Sequence, residues 1–215
     1  MSKLRVALPC VPAFAVLLLT GCSMFRSDAE PDRVYVLGAA PAQSAAPVAA
    51  VLSVPRPQVH PGLDTFRLAL TRPGNELDYF AASRWGGSLP EILAAFAVHS
   101  MDGSFTTVVG GGRSAGPAEF ELLLTARHFE AEYESGGGAP VVRVTLECMV
   151  VDTSPRRVVG NCDAEAREPA GENRMASIVH AFESAAQKAL EEVRGKATAA
   201  AGAALQADAA AARGA

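Results

Sequence analysis

From Phe120 to Arg167 apolar residues fall at every second position, and this pattern constrains the fold more than any other feature of the chain. Phe120, Leu122, Leu124 and Ala126 share one phase, whereas Phe129, Ala131 and Tyr133 share the other. A period of two is a strand with one face buried, and a change of phase requires an extra residue, so a bulge or face switch is expected near Arg127 and His128. Ser135-Gly136-Gly137-Gly138 is a hairpin loop. Val142, Val144, Leu146, Cys148 and Val150 then alternate with Arg143, Thr145 and Glu147. Ser154-Pro155 turns the chain, and Val158, Gly160, Cys162, Ala164 and Ala166 form the apolar phase of a third strand. Cys148 and Cys162 stand symmetrically about Pro155 and share the apolar phase. Directly opposed residues lie within disulfide reach, so the two are candidates for a bridge. The alternative is a pair of inert core cysteines in a hairpin of different register.

Upstream, Val34 to Leu37 is a first short strand, and Gly38 to Ala50 is an Ala/Pro/Gln/Ser connection. Val51 to Val59 alternates but contains Pro55 and Pro57, which remove ladder donors and point to an edge strand or one leaving the sheet. Phe66 to Leu70, the turn Arg72-Pro73-Gly74-Asn75 and Leu77 to Phe80 form a hairpin. Ser88-Leu89-Pro90-Glu91 is a capping box with proline in the first turn, opening a helix that ends at Gly103. A second helix runs from about Arg174 to Val193, with Ile178, Val179, Phe182, Ala186, Ala189, Leu190 and Val193 as its apolar stripe. Ala197 to Ala215 is mostly alanine without apolar bulk, which predicts a frayed helix or a disordered tail. The expected fold is a single α+β domain, a mostly antiparallel sheet with two helices packed on one face.

The first residues carry a different message. Lys3 and Arg5 precede an uncharged stretch of 14 residues, Val6 to Leu19, and then Leu19-Thr20-Gly21-Cys22. A positive start, a short apolar run and small residues before a cysteine together resemble a bacterial lipobox, in which the cysteine is acylated and becomes the new N-terminus. The alternative is an ordinary secretory signal with a chance cysteine. On the lipobox reading, residues 1–21 are the signal peptide, 22–33 the lipidated N-terminus and tether, 34–195 the folded domain and 196–215 the Ala-rich tail. Loss of Lys3 and Arg5 takes the formal charge from −4 to −6. Ser23, where an Asp would retain the chain, directs it to the outer membrane in enteric-type sorting.

Motifs for chemistry are few. The net charge is acidic and no basic stripe occurs, so no nucleic-acid partner is expected. No apolar run reaches the ~20 residues needed to span a bilayer, which excludes a polytopic protein. Gly110-Gly111-Gly112-Arg113-Ser114 lacks the glycine spacing, lysine and following helix of a phosphate loop. His60, His99, His128 and His180 are scattered and have no partner at metal-ligand spacing, so neither a metal nor a cofactor is expected. Glu119, Glu121, Glu130, Glu132 and Glu134 are assigned to solvated strand faces. Asn75 to Trp85 gathers Tyr79, Phe80 and the single tryptophan before the first helix. It is either a staple and core segment or an exposed aromatic–arginine patch, in which Tyr79, Arg84 and Trp85 would bind a partner.

Several of these residues carry a family resemblance. They are Val34-Tyr35-Val36-Leu37 after the lipobox, Val54-Pro55-Arg56-Pro57 with Pro61-Gly62-Leu63-Asp64, and Asn75-Glu76-Leu77-Asp78-Tyr79-Phe80 through Arg84-Trp85 to Ser88-Leu89-Pro90. Over Val34 to Val193 the chain resembles the auxiliary lipoproteins of ABC-type transport systems, the PqiC-like family. The resemblance implies a non-enzymatic lipoprotein at the outer membrane, facing the periplasm. Its implied partners are a periplasmic MCE-domain protein and the ABC permease and ATPase that move lipid between the two membranes. A homo-oligomer is compatible with that role. The other reading is a general envelope assembly or scaffolding lipoprotein.

If Cys22 is the acylation site, metabolic labelling with a fatty acid will mark the wild-type protein and leave Cys22→Ser unmarked. An unlabelled wild-type protein would contradict the lipobox reading.

Overall fold

In a computed structural model of the chain, the described residues are 31–38, 46–110 and 117–214. Cys22, the connection at 39–45 and most of the Gly110–Ser114 motif lie outside them. In chain order the elements are β1 (Arg33–Tyr35), β2 (Val48–Val54), β3 (Gln58–Val59), a 3₁₀ turn (Pro61–Leu63), β4 (Arg67–Arg72), β5 (Glu76–Trp85), α1 (Leu89–Met101), β6 (Phe105–Gly110), β7 (Phe120–Glu132), β8 (Val141–Thr153), β9 (Arg156–Pro169) and α2 (Met175–Gly214). All belong to one unit, Asp32–Ala215. The class is α+β with a single domain.

The alternating run forms the meander β7–β8–β9, antiparallel throughout. Its register shifts between Ala126 and His128, where the phase changes in sequence. Before the shift Leu122, Leu124 and Ala126 are buried, and after it Phe129 and Ala131 are buried. The bulge therefore keeps both halves of β7 facing one core. Cys148 and Cys162 oppose each other at a Cα–Cα distance of 4.9 Å, and their sulfurs are bonded.

The second edge of β7 is shared by three strands in succession. β2 pairs at Phe120–Glu121, β3 at Thr125–Ala126 and β4 at Glu130–Glu132, each parallel to β7. From there the sheet forks. One branch continues from β2 to β6, and the other from β4 through β5 to β1. The sheet is thus mixed, not purely antiparallel: its long ladders are antiparallel and its short pairings are parallel. The antiparallel pairs are hairpins whose tight turns mark them locally. The parallel pairs join strands far apart in sequence, which alternation alone does not identify. β2 also lies between β6 and β7 and is no edge strand, because Pro55 and Pro57 fall in the break between β2 and β3 where no ladder donor is needed.

Both helices lie on one face. α1 begins as the sequence indicates: Ser88 N–H donates to Glu91 Oε2 at 2.9 Å. That bond, with help from the Ser88 hydroxyl and the Arg56 guanidinium, holds the Glu91 carboxyl below its usual range. α2 crosses β8 and β9 and reaches β7. At the centre of the core Trp85 from β5 meets Phe129 from β7 and Phe182 from α2, at ring-centroid distances of 6.2 and 5.4 Å. Phe129 and Phe182 stack on each other at 5.4 Å.

The alanine-rich segment differs from expectation. α2 continues without a break to Gly214, and Ala197, Ala201 and Ala204 are buried. Their smallness is what packs: a Cβ placed on Gly160 of β9 would lie 2.6 Å from the Ala200 Cβ. Arg157 on β9 fastens the far end, bonding both Asp208 oxygens at 2.8 and 3.0 Å, and Lys196 Nζ donates to Asp163 O at 2.7 Å.

This close approach generates a pair of opposite outcomes. Gly160→Val forces α2 off the sheet, and denaturant unfolding should report a loss of about 1–3 kcal/mol. Gly202 meets nothing within 4 Å, so Gly202→Ala should add about 0.5–1 kcal/mol through helix propensity alone. Equal stability of Gly160→Val and wild type would contradict the close packing of α2 on β9.

Candidate docking surfaces

The Asn75–Trp85 segment becomes β5 and the turn before it. Gly74 and Asn75 take positive φ at the turn (92° and 61°), as residues of these types tolerate. Ala82 does so within the strand, at φ 47°, and this local kink lets both Phe80 and Trp85 pack against the core. Trp85 is only 1% exposed. It is therefore a core residue, and the three residues singled out from sequence do not form one surface. Tyr79 is half-buried; its hydroxyl donates to Gly62 O at 2.8 Å and its ring is covered by the Arg67 guanidinium 4.4 Å from the centroid. Asp78 accepts from Tyr79 N–H at 2.8 Å, and that bond, followed by Arg72, holds its carboxyl below the usual range. Arg84 is exposed, with Asp32 at 3.9 Å.

Glu130 departs from the solvated strand face assigned to it. It is 5% exposed, accepts from Phe129 N–H through Oε2 at 2.6 Å and meets His128 Nδ1 through Oε1 at 2.6 Å. The bulge brings His128 and Glu130 together, and their i, i+2 spacing beside the phase change was the available signal. Elsewhere on the helix-free face, Arg143 and Arg167 each bridge Glu132 and Glu165 at 2.9–3.5 Å, and Arg127 meets Glu147 at 2.7 Å. These charges pair with one another, although Arg143 Nε is buried without a hydrogen-bond partner among the described residues. His60 opens the 3₁₀ turn, and His180 is exposed, 3.8 Å from Glu183. Among the described residues no group of three His, Cys, Asp or Glu side chains could hold a metal ion. Among them, too, no helix is long and apolar enough to cross a membrane.

The outward side of α1 lies between two grooves. The helix carries one formal charge, Glu91, so its apolar residues extend beyond the buried face of Leu93, Phe96, Ala97 and Met101. On one flank lies a groove of about 850 Å³ lined by Pro55, Ala94, Ala95, Val98, Val108 and Val109. On the other lies one of about 590 Å³ lined by Val36, Leu37, Gly86, Ile92 and Phe96. Glu91, Ala95 and His99 border both. The first groove adjoins β6, which ends its branch of the sheet.

Comparison with known proteins places this fold. A crystal structure of a protein from Xanthomonas campestris superposes with a TM-score of 0.72 at 21% identity, covering 81% of this chain and 99% of that one. The crystal structure of an uncharacterised protein superposes with a TM-score of 0.60 at 14% identity, covering 78% and 97%. At these identities the likeness shows a shared fold. No curated protein matches in sequence. The sequence profile of one family matches residues 35–194, from β1 into α2. The chain belongs to the family described as the ABC-type transport auxiliary lipoprotein component.

Proposed function

We propose that the protein is a non-enzymatic, outer-membrane-anchored subunit of an intermembrane lipid transport system, and that it docks the system's MCE-domain component from the periplasmic side. Family membership supports the transport role. The observation that carries the docking role is the groove of about 850 Å³ between α1 and β6, whose apolar lining comes from Pro55, Ala94, Ala95, Val98, Val108 and Val109. Beside it, β6 ends its branch of the sheet. An extended segment laid between α1 and β6 would add main-chain pairing to apolar burial. The protein then contributes by holding its partner at one membrane, which raises the effective concentration of the components there.

Ala95→Glu and His99→Glu place charge on the exposed side of α1 without touching the core. Each should leave the thermal midpoint unchanged and reduce co-purification with the MCE-domain protein by about tenfold or more. Met149→Glu, on an exposed position of β8, should leave both the midpoint and the co-purification unchanged. Retained co-purification in both α1 variants would contradict docking at this face.

A further inference from the structure

Among the described residues six large apolar side chains stand exposed, and four of them, Val34, Val36, Phe66 and Leu77, lie on the β1–β5–β4 branch. Val34, Val36 and Phe66 are 51%, 70% and 51% exposed. The register sets three residues in one row: Val34 opposes Arg84, and Arg84 opposes Arg67. Paired neighbours share a sheet face, so two guanidinium groups stand beside Val34 on the same surface. Val36 joins it, since the Cγ1 atoms of Val34 and Val36 both lie within 4 Å of the position a Cβ on Gly86 would take. Phe66 immediately precedes Arg67. Among the described residues Arg67 makes no ion pair; it rests on the Tyr79 ring, which fixes its direction. The carboxylate nearest Arg84 is that of Asp32, 3.9 Å away and itself exposed.

The patch lies where the tether enters the domain. Cys22 to Pro31 are ten residues, about 35 Å at full extension. That is no more than the width of a domain of this size, about 40 Å. A domain held so closely keeps the end bearing β1 near the membrane. Apolar side chains interleaved with arginines are the composition that seats in a headgroup layer, the apolar groups entering the acyl boundary and the cations meeting phosphates.

We infer that the surface formed by Val34, Val36, Phe66, Arg67 and Arg84 rests on the leaflet that holds the anchor and binds anionic phospholipid headgroups. The inference builds on acylation of Cys22. It fixes an orientation in which the β1 branch lies on the membrane.

The test uses the full-length protein purified with its native N-terminus and reconstituted into vesicles of phosphatidylethanolamine and phosphatidylglycerol, doped with a lipid bearing a photoreactive headgroup. Peptides containing Val34–Val36, Phe66–Arg67 and Arg84 should be labelled at least about fivefold more than those containing Met149 and Val158. Omitting phosphatidylglycerol, or introducing Arg67→Glu with Arg84→Glu, should cut that labelling about fivefold or more while the thermal midpoint of the variant stays in place. The mass of the N-terminal peptide reports acylation in the same sample. Uniform labelling with an acylated Cys22 overturns the surface and keeps the anchor. Patch labelling with an unmodified Cys22 removes the anchor and keeps the surface. An unmodified Cys22 without patch labelling overturns both.

Discussion

The structure depends on the way β7 uses its two edges. One edge is paired along its length by β8, and the other is divided among β2, β3 and β4. A strand can hydrogen-bond only one neighbour per edge at each position, so three successive neighbours must diverge beyond it. That divergence makes the fork, and α1 packs beside it against β2, β3 and β6. The bulge at Ala126–His128 is the second half of the same constraint. Without it, half of the long strand would turn its apolar residues away from the helices. With it, Phe129 reaches the Trp85–Phe182 contact that joins the β5 branch to α2.

α2 closes the other side by a different means. Its N-terminal half packs large side chains, Ile178, Phe182 and Leu190, whereas its C-terminal half packs alanine against Gly160. Small residues stabilise less per side chain, since the apolar area removed from water is smaller. They permit a closer backbone approach, and the pairs Arg157–Asp208 and Lys196–Asp163 hold the exposed rim of that contact. Such exposed pairs contribute modestly, so close packing is the main term.

What the sequence reveals follows the range of the interactions. The three hairpins, the capping box at Ser88, the phase change at His128 and the opposition of Cys148 to Cys162 all arise from residues near one another in the chain, and all were legible. The parallel pairings of β2, β3 and β4 with β7 were not, because nothing in one strand's alternation names a distant partner. The packing of Ala197, Ala201 and Ala204 was hidden for a related reason: alanine offers a surface only when the opposing residue is as small as Gly160. Trp85 could be read as anchor or core until Phe129 and Phe182 were seen around it. Glu130 looked solvated because strand periodicity reports the face of a residue and not the depth of that face beneath neighbouring groups.

On the two proposals, the branches of the fork take separate tasks. The β1 branch receives the tether and carries exposed valines, Phe66 and arginines, while the β2–β6 branch carries the groove beside α1. The account therefore claims that membrane and partner engage different branches of one rigid sheet. Hydrogen exchange on the vesicle-bound, full-length protein, with and without the MCE-domain protein, tests this most directly. The account predicts that vesicles slow exchange in β1 and the Phe66–Arg67 segment whether or not the partner is present, and that the partner adds protection in α1 and β6. Protection by the partner confined to β1, β4 and β5, with α1 and β6 unchanged, would contradict it.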